Sequence, residues 1–258
     1  MEPSKTVGEG IVLGVIPARG GSRRVHKKNL KILGGKPLVA WTIEQSLKSI
    51  ELDYCLVSTD DIDIMKISKQ YGANVPFRRP SRLAIDCDSS LVLQHAVEWY
   101  ERQFEGQHVE HVVCLQPTSP FRNANDIDNC VQLAKAKPNA ETIVSVVYTS
   151  QHPYWCFELT PQQQLIPMLG TDMTGDNLVS QNLPPAFYPN GAVYVTRRDV
   201  LFECGIYGQK IYGYHMPRER SIDLEEEFDF LIASSLIQCY GENVFAEVPR
   251  TKTSWLQS

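Results

Sequence analysis

The sequence predicts an α/β fold, a three-layer arrangement around a mostly parallel sheet. Two observations carry this. Short apolar runs of strand length alternate with longer segments of helical period, and the spacing suits helical crossovers between parallel strands. Residues 11–16 (IVLGVI) read as a buried strand, and residues 37–49 (PLVAWTIEQSLKS) as a helix with Pro near its start. Residues 54–58 (YCLVS) form a second strand, ending in Thr59-Asp60-Asp61, which supplies the N-cap of a helix running through Tyr71. A helix over 91–104 leads to a strand over 111–115 (HVVCL), closed by Gln116-Pro117. Asn125 or Asp126 caps the next helix, which runs to about Lys135, and residues 142–148 (TIVSVVY) form a further strand. Strands over 192–195 and 211–215 and a helix over 224–236 complete the core. Between them, residues 151–189 are rich in Pro, Gln, Asn and aromatic side chains and show no clean period. An irregular stretch of that length inside a compact domain usually has a task, so it reads as an insertion that makes an arm and lines a site.

With 258 residues, the chain suits one large domain; residues 1–10 read as a flexible N-terminus and 11–258 as the domain. The composition, 43% hydrophobic and 21% charged with a net charge of −5, is that of an ordinary soluble protein and argues against nucleic acid as a partner. No apolar stretch approaches the roughly 20 residues of a membrane span. The opening MEPSKTVGEG lacks an apolar signal core. The expectation is a cytoplasmic protein with no membrane partner. Seven scattered cysteines without a C-x-x-C pair read as reduced thiols, not as a zinc site or disulfide framework.

Against the negative total, residues 15–29 (VIPARGGSRRVHKKN) concentrate positive charge directly behind a strand. In open α/β sheets ligands bind beyond the carboxyl ends of strands. Glycines let a backbone approach an anion, and Arg19 and Lys28 offer charge-assisted hydrogen bonds to phosphate oxygens. A polyphosphate ligand follows, with a solvated basic loop as the plain alternative. The stretch is neither a G-x-x-x-x-G-K-[ST] loop nor a G-x-G-x-x-G fingerprint. A second cluster, residues 221–229 (SIDLEEEFD), is acidic. Asp223 and Glu225, two apart in extended backbone, share one face and suit a common Mg²⁺. A helix N-terminus favoured by the dipole accounts equally for Glu226 and Glu227.

Five collinear stretches resemble the acylneuraminate cytidylyltransferases, the CMP-sialic acid synthetase family. They are IPARGGSRRVHKKN (family IPARGGSKxxxxKN), FRRPSRLAIDCDSS (RPxxLAxDxxSS), LQPTSPFR (LQPTSPLR), LPPAFYPNGAVYV (LPxxFxxNGAIYI) and RSIDLEEEFDF (SIDIDxexDf). The resemblance spans essentially the whole chain. It implies a nucleotide-diphospho-sugar transferase type of fold and a homodimer with the insertion exchanged across its interface. It also implies a Mg²⁺-dependent reaction in which CTP and a nine-carbon 2-keto sugar acid give a CMP-sugar and pyrophosphate. By motif position, Arg19, Ser22, Lys28 and Asn29 would hold the triphosphate and ribose. Arg79 and Ser90 would read the cytosine. Gln116, Asn190 and Tyr194 would meet the sugar acid, and Asp223 and Glu225 the metal, with Arg19, Lys28 and both carboxylates carrying catalysis. Plainer readings stand beside three of these: Ser90 as a helix cap, Asn190 with Gly191 as a turn, Tyr194 as core. A synthetase of the KDO type, a transferase using a sugar 1-phosphate, and a nucleotide-binding relative without turnover are the alternative functions.

The departures fall mainly on the acceptor side. Glu225 replaces the family's second Asp, Ser180 stands where an Arg often precedes QxLP, and Trp155 stands where a Lys can follow the HHP-type motif. Two lost cations would remove charge-assisted bonds worth roughly 1.5–3 kcal/mol each. The expected sugar is therefore less polar than N-acetylneuraminic acid, of the legionaminic type.

Overall fold

The structure, a computed structural model, describes residues 10–84, 88–170, 174–175 and 179–241, the side chain of Ser180 excepted. Strand β1 (Gly10–Pro17) leads into a short hairpin, β2 (Ile32–Leu33) and β3 (Lys36–Pro37), and helix α1 (Leu38–Lys48). Next come β4 (Tyr54–Ser58), α2 (Ile62–Gln70), α3 (Ser89–Gln103), β5 (His108–Cys114), α4 (Ala124–Ala136) and β6 (Thr142–Tyr148). A second hairpin, β7 (Phe157–Leu159) and β8 (Leu165–Pro167), precedes β9 (Phe187–Arg197), α5 (Arg198–Glu203), β10 (Ile211–His215) and α6 (Glu227–Tyr240).

One six-stranded sheet has the order β10-β6-β9-β5-β1-β4. β1 is parallel to β4 and β5, and β10 is parallel to β6, while β9 runs antiparallel to both β5 and β6. The mostly parallel expectation holds, and the strand that breaks it is the one beside the site. Helices cover both faces, which is why β1 is apolar at nearly every position. Val12 and Ile16 pack with Ile43 of α1, Ile64 of α2 and Ile127 of α4. Ile11, Leu13 and Val15 pack on the other face with Leu93 of α3 and Leu201 of α5. A third cluster joins Trp41, Phe121, Leu224 and Phe230. No helix among the described residues is long and apolar enough to cross a membrane. The described cysteines that are identified, six in all, are free, and Cys87 lies outside the described residues.

Three element expectations need correction. The helix expected from residue 224 starts at Glu227, because the backbone ahead of it is spoken for elsewhere. Leu224 N–H donates to Thr118 O at 2.7 Å, and the Asp229 carboxylate accepts from the N–H groups of Glu225 and Glu226 at 2.8 and 2.7 Å. The cap of α4 is Asn123, not Asn125 or Asp126; Asp126 is its partner three residues on, in a reciprocal capping box. The strand expected over 192–195 is far longer, so the irregular region ends at residue 186 and not at 189. Sequence reading stopped at Gly191 because its φ of +74° interrupts the strand pattern.

That interruption is a bulge. Val144 pairs with Tyr194 and Val146 with Pro189, so residues 190–193 stand opposite Ser145 alone. Ser145 Oγ donates to Asn190 Oδ1 at 2.6 Å and accepts from Val193 N–H at 2.8 Å, which pins the bulge to β6.

Candidate active site

The carboxyl ends of β4, β1 and β5 open onto a cleft of about 540 Å³. Its lining includes Arg19, Ser22, Arg23, Arg24, Lys28, Asn29, Arg79, Ser89, Gln116, Thr118 and Glu225. The basic loop that follows β1 therefore faces the turn after β5, as a nucleotide site at such a sheet end requires.

The loop is held from beneath. Gly20 N–H donates to Asp60 Oδ1 at 3.0 Å, and a methyl on Gly20 would sit 2.8 Å from Asp61 Oδ2, so a glycine is needed for this approach. Gly21 meets nothing within 4 Å. Asn29 is buried, and its Nδ2 donates to Arg19 O at 2.9 Å, tying the two ends of the loop together. Lys27 in left-handed backbone (φ 48°) turns the chain so that Lys28 points back toward the acidic segment. There Lys28 Nζ donates to Leu224 O at 2.8 Å and lies 3.3 Å from Glu225 Oε2. Arg24 meets the same carboxylate at 2.9 Å. The basic loop and the acidic segment, some 200 residues apart in sequence, thus share one wall.

Asp223 stands behind this wall. A methyl built on Gly191 would lie 2.8 Å from Ser119 Oγ, 3.1 Å from Gln116 Oε1 and 3.5 Å from Asp223 Oδ2. The bulge glycine is the point about which Gln116 and Asp223 converge. Burial pushes the Asp223 carboxyl above its ordinary range and Glu225 adds to this, against a hydrogen bond from Thr118 and the charge of Lys28. Asp223 is the carboxylate of this segment that a Mg²⁺ would use, since Mg²⁺ takes one or two protein carboxylates and completes its shell with phosphate and water, while Glu225 is paired with Arg24 and Lys28. Among the described residues no group of three or more His, Cys, Asp or Glu could hold a metal by itself.

The segment carrying Asp223 is anchored at three points. Arg220 pairs with Asp126, with Nη2 at 2.8 Å from Oδ1 and Nε at 3.2 Å from Oδ2. Ser221 Oγ accepts from Asn190 Nδ2 at 2.8 Å, and Leu224 N–H holds Thr118 O. Arg122, fully buried, donates to the carbonyls of Gln116 and Ala192 and to Thr42 Oγ1. Sequence reasoning gave Arg122 and Arg220 no role of their own and read Asp126 only as a helix cap. Two signals for Arg122 were its place at the end of LQPTSPFR and just before a helix N-terminus, where a cation opposes the dipole and so needs a reason elsewhere.

Of the residues expected at the site, the structure brings Arg19, Ser22, Lys28, Asn29, Arg79, Gln116 and Glu225 to the cleft itself. Arg79 does so as a buried wall, with Nε on Ser58 Oγ at 3.1 Å and Nη1 on Leu83 O at 3.4 Å. Asp223 stands behind the cleft near Gln116, and three others are placed differently. Ser90 is buried and faces Gly205, and Ser89 with Val92 takes the cleft side of α3; Asp88 is the cap. Asn190 uses both Nδ2 hydrogens on Ser221 and Met216, and its Oδ1 accepts from Ser145 and Ala192. That makes it the staple of the bulge, not a plain turn. Tyr194 belongs to the core under α3, against Tyr207 at 6.0 Å, and burial drives its hydroxyl pKa far up. Trp155 lies in an aromatic corner with His152 and Tyr154, where His152 Nε2 contacts Pro184 O at 2.9 Å. The side chain of Ser180 lies outside the described residues.

The chain is similar to several known proteins. The cytidylyltransferase family profile matches residues 13–245. The chain is 33% identical to a CMP-N,N'-diacetyllegionaminic acid synthase of Legionella pneumophila, over 90% of this chain and 98% of that protein. It is 31% identical to a pseudaminic acid cytidylyltransferase of Campylobacter jejuni, over 90% and 99%. It is also 31% identical to an N-acylneuraminate cytidylyltransferase of Escherichia coli, of which the match spans only 52%. Among solved structures, a CMP:2-keto-3-deoxy-manno-octonic acid synthetase complexed with CTP superposes with a TM-score of 0.66 at 16% identity, over 89% of this chain and 99% of that one. That likeness concerns the fold, which is the nucleotidyltransferase type expected.

Proposed function

The chain belongs to the cytidylyltransferase family, and from that premise we propose that it transfers CMP from CTP to the anomeric hydroxyl of a nine-carbon 2-keto sugar acid. One observation carries this reading. A single cleft is lined by the basic loop, the Gln116–Thr118 turn and Glu225 of the acidic segment, which supports binding a triphosphate and an acceptor side by side.

In this reading Arg19, Ser22, Lys28 and Asn29 bind the triphosphate and ribose, and Arg79 forms the wall against the cytosine. Gln116 orients the sugar acid. A new bond forms between the sugar oxygen and the α-phosphorus, the bond to pyrophosphate breaks, and a carboxylate of the Asp223–Glu225 pair takes the hydroxyl proton. The donor set fits Mg²⁺, held chiefly by Asp223, which when bound neutralises charge on the triphosphate and the departing pyrophosphate. Glu225, longer by one methylene than Asp, reaches Arg24 and Lys28 and so helps to order the phosphate-binding loop. The acceptor of this reading is a nonulosonic acid of the legionaminic type. Trp155 in place of a cation, in an aromatic corner, supports a less polar sugar.

The same reading includes a homodimer in the cytoplasm. Leu165, Met168 and Leu169 around β8 are 57%, 67% and 60% exposed, an apolar face that a second copy would cover. Light scattering is expected to give about twice the chain mass of 29.2 kDa, and a monomer mass would sink this part.

The activity is tested by pyrophosphate release with CTP and Mg²⁺ across N-acetylneuraminic, legionaminic, pseudaminic and KDO acids. Turnover is expected to be best with the legionaminic acid and to fall at least about 100-fold in Asp223→Ala. Preference for N-acetylneuraminic acid would overturn the acceptor assignment. Absence of turnover with every acid would overturn the activity.

A further inference from the structure

Arg122 heads the fully buried side chains by size, and the proposed chemistry leaves it unused. Its guanidinium makes three bonds, each to a different element. Nε donates to Ala192 O at 2.7 Å, Nη1 to Thr42 Oγ1 at 2.7 Å, and Nη2 to Gln116 O. Burial lowers its pKa to about 10, with Cys114, Asp126 and Asp223 among the groups that hold it up. These three partners are neutral oxygens, so the fold bears the desolvation of a cation in return for a rigid, planar arrangement of donors.

The positions of those oxygens give the arrangement a meaning. The Gln116 carbonyl sits at the carboxyl end of β5, on the residue whose side chain faces the acceptor end of the cleft. The Ala192 carbonyl sits in the β9 bulge, next to Gly191, around which Gln116 Oε1 and Asp223 Oδ2 converge. One flat group therefore bridges the β5 turn and the bulge, beside the Ser119 Oγ bond to Asn190 O at 3.1 Å. Thr42 of α1 fixes the group itself. The nucleotide-binding loop hangs from other contacts, Gly20 to Asp60 and Asn29 to Arg19. A lysine carries the same charge but cannot span the Gln116 and Ala192 carbonyls with a fixed fork.

We propose that Arg122 is a positioning residue for the acceptor half of the site, setting the position of Gln116 against the Gly191 bulge while leaving the CTP half independent. The proposal rests on the transferase reading above and names the part of that site it governs.

The test is Arg122→Lys, assayed with the acid that the wild-type protein uses. CTP affinity, read by titration calorimetry, is expected to stay within about threefold, because no contact of the basic loop is touched. The acceptor KM is expected to rise about 10-fold or more and kcat to fall, since misplacing a reacting group by about 1 Å costs on the order of 100-fold. Should the lysine variant not fold, Thr42→Val frees one of the three anchors and carries the same test. Its acceptor KM is expected to rise about threefold with CTP affinity unchanged. Equal loss of CTP and acceptor binding, or kinetics like those of the wild type, would overturn the proposal and leave the transferase reading standing. A wild-type protein inactive on every acid would overturn both.

Discussion

Asp126→Ala is expected to destabilise the fold by about 3–5 kcal/mol, because it removes one half of a buried ion pair and leaves the other half charged. The Arg220 and Asp126 side chains are 6% and 1% exposed. Asp126 also accepts from the N–H of Asn123 at 2.9 Å, closing the α4 capping box, and from Tyr214 at 3.3 Å. The substitution removes an acceptor from all three donors at once. In a chain of this size the loss corresponds to a melting-point drop of roughly 6–20 °C. Because Arg220 precedes the Asp223 segment, activity is expected to fail below the temperature at which the protein unfolds. Replacing both partners with leucine should recover part of the stability, since apolar pairs of similar volume often match buried ion pairs. Denaturant titration decides it, and a single-variant loss below about 1 kcal/mol would show that water reaches Arg220.

Gly191→Ala has the second large effect, on activity more than on stability. At φ +74° an L side chain is strained by about 1–2 kcal/mol. The new methyl would also press on Ser119 Oγ at 2.8 Å and Gln116 Oε1 at 3.1 Å. Relief requires Gln116 or the bulge to move, and either motion separates Gln116 from Asp223. Turnover is expected to fall about 100-fold while CTP still binds. Near-normal turnover in the alanine variant would mean that the bulge is not the pivot of the acceptor end.

Much of this arrangement was legible from the residues because its determinants are local. The run IVLGVI read as a buried strand, Thr59-Asp60-Asp61 supplied the cap of α2, and RGGSRR after a strand end pointed to an anion, with a solvated loop as the plain alternative. What escaped was set by partners distant in sequence. Helix α6 starts late because Thr118 and Asp229 claim the N–H groups of residues 224–226. Asn190 and Tyr194 sit in a motif beside the site, yet Ser145, Ser221 and Tyr207 decide where their side chains lie. Arg122 and Arg220 lie in motifs quoted from the sequence, yet only their burial gives them a task. Long-range pairing of polar groups leaves no periodic trace, and it governs the acceptor end.

The place of β9 in the sheet also bears on how the chain is made. The order β10-β6-β9-β5-β1-β4 puts a late strand between β5 and β6. During synthesis β4, β1 and β5 can pair as they emerge, but β5 keeps a bare hydrogen-bonding edge until residues 187–197 leave the ribosome. Such an edge is an invitation to pair with another chain, and non-local strand closure is slow. The same late closure that completes the sheet assembles the bulge on which Gln116 and Asp223 converge.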